Sequence, residues 1–98
     1  MVNENREFYQ RCIDVWGKDA QIKMCIEEMS ELTKELCKSW RKDQENPDLI
    51  RNICEEIADV QNMADEMQMI FGEELVEKFR KEKIERTNKR LDEETKNG

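Results

Sequence analysis

The chain has no histidine, one proline (Pro47) and three glycines (Gly17, Gly72 and Gly98) among its 98 residues. Without an imidazole, Ser-His and Cys-His nucleophile pairs are excluded. So is the Glu-x-x-His pattern on which di-iron four-helix proteins draw. Cys12, Cys25, Cys37 and Cys54 lie far apart and form none of the short pairs that mark zinc or redox sites, so they read as reduced thiols, mostly small core side chains. No apolar run approaches the roughly 18 residues of a membrane span, and no segment joins a basic start to an apolar middle. The expectation is a cytoplasmic protein with no membrane partner. Gly17 and Lys18 lack a preceding glycine-rich loop, which excludes a P-loop. No strand-like alternation appears.

What the chain has in abundance is charge. Charged residues make up 42% of it against 37% apolar, and the net charge is −7. The apolar residues nevertheless recur at helical spacing, which argues for one folded helical domain over 1–98, frayed from about 93 onward. A core this thin calls for oligomerisation, a homodimer at least or a homotetramer. Residues 78–90 hold seven basic and two acidic side chains, a local +5, so the remainder carries −12. An acidic body excludes general affinity for nucleic acid. Beside one basic helix, it suits a metal and an anion held together.

The punctuation gives four helices. The first spans about 5–16, with Phe8, Cys12, Val15 and Trp16 on one side, and stops at Gly17. The second starts near Asp19, turns Met24, Cys25, Leu32, Leu36 and Trp40 inward, and ends in the polar stretch 42–46. Asn46 and Pro47 suit an N-cap and first-turn pair for a third helix reaching Phe71, striped by Ile50, Ile53, Ile57, Val60, Met63, Met67 and Ile70. Gly72 precedes a charged fourth helix over about 73–92, anchored by Leu75, Val76, Phe79, Ile84 and Leu91. The expected fold is all-α, an antiparallel four-helix bundle.

Two acidic clusters stand out, one at Glu27, Glu28 and Glu31, the other at Glu55, Glu56 and Asp59. Residues three apart share a helix face, about 5 to 6 Å between Cβ atoms, so Glu28 with Glu31 and Glu56 with Asp59 form two carboxylate pairs. Most glutamates on helices are simply solvated, but Met24, Cys25 and Leu32 flank Glu28, while Ile53 and Val60 flank Glu56. Acids on a core-facing stripe need a cation or protonation. With oxygen ligands only, the cation is hard: magnesium, or manganese, in preference to calcium.

The order Glu27-Glu28-x-x-Glu31, a gap of 24 residues, then Glu56-x-x-Asp59 resembles the EExxE…ExxD signature of the MazG-like, all-α nucleoside triphosphate pyrophosphohydrolases. The likeness runs from Trp16, Gly17 and Gln21 to the segment Lys83 to Arg90, about three quarters of the chain, and the length is similar to that of the short single-domain members. It implies that Glu28, Glu31, Glu56 and Asp59 ligate magnesium, with Glu27 and Glu55 as additional or supporting groups; a non-ligating carboxylate can then accept a proton from metal-bound water, and Glu27 is the candidate for that base. It implies that Lys83, Arg86 and Arg90, with Asn88 nearby, reach the triphosphate. The implied reaction is hydrolysis of an NTP or dNTP to monophosphate and pyrophosphate, in a nucleotide-pool housecleaning role. Trp16, Gln21 and Trp40 are candidates to contact the base, against the plainer reading of large aromatics as core or interface. Two other classes compete with an enzyme: a helical interaction module whose acids are merely solvated, and a nucleotide-binding regulator without turnover.

Overall fold

The computed structural model describes residues 2–41 and 44–97. A short 3-10 turn, Val2–Glu4, leads into α1 (Arg6–Trp16), α2 (Lys18–Arg41), α3 (Pro47–Phe71) and α4 (Glu73–Asn97), and the described residues contain no strand. The chain is all-α, as its periodicity requires.

Each boundary has a local cause. The amides of Gly17 (φ 91°) and Gly72 (φ 145°) bond back to the carbonyls of Ile13 and Gln68, both at 2.8 Å. A side chain is strained at these positive φ values, so glycine ends both helices. Asn46 Oδ1 accepts from the amides of Asp48 (2.9 Å) and Leu49 (3.3 Å), with Pro47 opening α3. Of the polar stretch expected after α2, Lys42 and Asp43 lie outside the described residues, and Gln44 and Glu45 form a turn. Helix α4 runs past Asp92 to Asn97, further than its sequence suggests, supported by Arg90 on Glu94 (3.1 Å) and by the Thr95 hydroxyl on the Leu91 carbonyl (2.7 Å). Gly98 lies outside the described residues.

Gln21 faces Glu66, and Glu28 faces Glu56 and Asp59, so α2 and α3 run antiparallel. Helix α1 packs on both, with Tyr9 and Cys12 buried beside Cys25 and Met63. This differs from the expected α1 face: Phe8, Val15 and Trp16 are exposed. Leu36, Ile50, Ile57 and the α4 anchors Leu75, Phe79, Ile84 and Leu91 are exposed too. The reason is that, among the described residues, α4 meets its own chain only near its start, where Arg6 grips Glu73 through two bonds of 2.7 and 2.6 Å, and residues 77–96 are all exposed.

The dimensions agree. The radius of gyration is 17.0 Å, against about 13 Å for a compact domain of this size. The accessible surface is 8184 Å², against about 5,900 Å² for a compact chain of this mass. One copy leaves a large apolar surface uncovered.

Candidate metal centre

Glu28 is on the face of α2 that meets α3, and Glu56 and Asp59 lie one turn apart on the facing stripe of α3. One carboxylate oxygen from each of Glu28, Glu56 and Asp59 lies within 4.8 Å of the other two. Burial, then the nearby Asp59 and Glu56 charges, push the Glu28 carboxyl above the usual range. One oxygen of Glu56 is fully buried and has no hydrogen-bond partner among the described residues. A buried acceptor left unsatisfied is uncommon and costly. The donor set fits a hard divalent cation: it is all oxygen, it carries three negative charges, and small side-chain rotations would bring the oxygens to the roughly 3 to 4 Å spacing around an octahedral magnesium.

Three of the four expected ligands are therefore brought together. Glu31 is exposed and outside the trio, as is Glu27. Glu55 points to solvent and pairs with Arg51 at 3.3 Å. Lys83, Arg86, Asn88 and Arg90 are exposed on α4, and none lines a cavity shared with the trio. Trp40 is 89% exposed and lines a separate cavity with Leu36 and Cys37; twelve residues from Glu28, it is about 18 Å further along α2.

Trp16 and Gln21 do join the site. A cavity of about 190 Å³ opens beside Glu28 and Asp59, walled by Phe8, Tyr9 and Trp16, with Gln21, Met63 and Glu66 at its floor. Gln21 (1% exposed) faces Glu66 (2% exposed), and with its amide NH₂ turned toward the carboxylate it donates to both oxygens. Burial pushes the Glu66 carboxyl up, opposed by a hydrogen bond from the Cys12 thiol, and burial followed by the Glu66 charge pushes that thiol up in turn. The Tyr9 hydroxyl donates between Asn62 Oδ1 (3.2 Å) and Asp65 Oδ2 (3.4 Å). Glu66, Asn62 and Tyr9 escape a motif search. The available signal was helical period, since Asp59, Asn62 and Glu66 fall at i, i+3 and i+7 of one face.

Comparison with protein-family models, with curated proteins and with solved structures finds no match for this chain.

Proposed function

We propose that the protein hydrolyses a nucleoside triphosphate, ribo or deoxyribo, to the monophosphate and pyrophosphate with magnesium, or manganese, as its cation. A role in clearing unwanted nucleotides accompanies that activity. One observation carries the reading: three carboxylates converge from two helices, one with a buried unsatisfied oxygen, at the mouth of a cavity walled by aromatic rings.

Glu28, Glu56 and Asp59 would hold the ion, with Glu31 one turn from Glu28. Bound there, the ion supplies neutralisation of phosphate oxygens and a water of lowered pKa. A non-ligating carboxylate accepts that water's proton, and Glu27, beside Glu28 in the chain, is the candidate. The acidic body repels a bare triphosphate, so affinity depends on the cation.

The basic residues of α4 complete the site from a second copy. The +5 stretch complements the acidic body of a partner. The excess of about 2,300 Å² over a compact chain is what each chain of an obligate dimer gives up, roughly 1,000 to 2,500 Å². Lys83, Arg86, Asn88 and Arg90 then contact the triphosphate across the interface, in a homodimer or a homotetramer.

The test is incubation with the eight common NTPs and dNTPs, in magnesium and in EDTA, with products separated by ion exchange. Wild type releases monophosphate and pyrophosphate only with magnesium, and Glu56→Ala releases none. If no nucleotide turns over and magnesium leaves the melting temperature unmoved, the reading fails and a helical interaction module is the better account.

A further inference from the structure

Glu66 plays no part in the chemistry above, yet it is held out of water at the floor of the cavity next to the carboxylate trio. A carboxylate in that position is costly unless its oxygens are satisfied. Its donors, the Gln21 amide and the Cys12 thiol, are both neutral, so neither cancels the charge. Both can donate to the ionised form, in which Glu66 is an acceptor. Asn62, a turn away, spends its Oδ1 on the Tyr9 hydroxyl and keeps its NH₂ as a donor. The cavity therefore sets an acceptor and a donor between Phe8, Tyr9 and Trp16. At about 190 Å³ it is smaller than the roughly 300 Å³ at the low end for whole small ligands. It takes one ring system of a nucleotide, leaving the phosphates with the trio.

We infer that Glu66 selects the base: the cavity takes a nucleobase whose exocyclic amine donates to Glu66 while the Asn62 amide donates to a ring acceptor. Adenine, cytosine and guanine carry such an amine. Uracil and thymine set carbonyl oxygens at those exocyclic positions, and their one donor, the ring N3–H, is flanked by an oxygen on each side, so turning it to Glu66 holds a carbonyl oxygen against the carboxylate. The inference rests on the nucleotide reading for the class of its ligand, but it concerns which base enters.

Two measurements separate it from that reading. In the first, kcat/KM with magnesium is compared for dATP, dCTP, dGTP, dTTP and dUTP. The best amine-bearing nucleotide should exceed both dTTP and dUTP by about tenfold or more, the size of one buried hydrogen-bond mismatch. Glu66→Gln, whose amide can turn its NH₂ to a carbonyl, should narrow that ratio by raising turnover of dTTP and dUTP. The second is equilibrium dialysis of dAMP, dCMP, dGMP and dTMP, which needs no turnover. An amine-bearing monophosphate should bind best, and Asn62→Ala, at an exposed position, should weaken it whether or not the Glu66 variant folds. Preference for an amine in dialysis without hydrolysis would sink the enzyme and keep the selection. Hydrolysis with dTTP or dUTP as good as the rest would sink the selection and keep the enzyme. Monophosphates that bind alike, or not at all, also overturn the selection.

Discussion

Replacing Glu56 by glutamine keeps the shape of the side chain and removes one of three charges. With its oxygens at most 4.8 Å apart, each like-charged pair costs about 0.9 kcal/mol at the permittivity of water and about 3.5 kcal/mol at an effective value of 20. Asp59 is exposed, so its pair belongs near the lower figure, and Glu56→Gln, acting on two pairs, relieves roughly 1 to 3 kcal/mol. A change of 1 kcal/mol moves Tm by about 4 to 8 °C in a domain of this size. In EDTA the variant should therefore melt about 4 to 24 °C above wild type. Magnesium at about 100 times its Kd adds roughly 2.7 kcal/mol to wild type and little to the variant, so the gap closes or reverses. Scanning calorimetry of both proteins in both buffers reads this directly. A variant less stable than wild type in EDTA, with a wild-type Tm indifferent to magnesium, would refute the reasoning and return the trio to ordinary solvated acids.

Four further outcomes follow from the same geometry. The raised pKa of Glu28 means that the folded chain holds its proton more tightly than the unfolded one. Stability in EDTA should then fall as pH climbs from the ordinary glutamate value of about 4.3 to the higher folded value and level off above it; urea titrations across pH should show a shallower fall in Glu28→Gln, the remainder reflecting Glu66, which is shifted the same way. Asn46→Ala removes the α3 cap and should cost about 1 kcal/mol, lowering Tm while leaving any magnesium shift intact. A thiol reagent should modify exposed Cys37 and Cys54 quickly, and buried Cys12 and Cys25, both with raised pKa, only slowly until the chain unfolds. Phe79→Asp, on the exposed apolar stripe of α4, should shift sedimentation velocity from oligomer to monomer.

The helix boundaries up to the start of α4 were legible because the few glycines and the single proline are strong local signals, whereas the end of α4 carries no such signal and lies later than expected. Gly17, Asn46, Pro47 and Gly72 do what their types dictate whatever the rest of the chain does. The convergence of Glu28, Glu56 and Asp59 was legible too, since a pair three apart on each of two antiparallel helices needs only the right register to meet. Burial was less so. The sequence points to an α1 face of Phe8, Cys12, Val15 and Trp16, whereas packing on α2 and α3 chose Tyr9 with Cys12, the Tyr9 hydroxyl having partners at Asn62 and Asp65. Leu36, Ile84 and Leu91 were read as core and are bare, because periodicity reports that a face is apolar and not which molecule covers it. Glu66 was passed over for a related reason. An acid inside a methionine-rich stripe resembles any surface glutamate until Gln21 and Cys12 are seen to reach it.

The clasp between Arg6 and Glu73 gives the molecule a lever. Helix α1 supplies the aromatic wall of the cavity and turns into α2 at Gly17, where a positive φ makes a natural pivot. Its other end is fastened to the root of α4 by two charge-assisted bonds. A shift of α1 would therefore pull on the root of α4, and over a helix of 25 residues, about 37 Å long, a small rotation at the root would become a large sweep at the tip. The clasp thus ties the placement of the cavity's aromatic wall to that of the basic residues on α4.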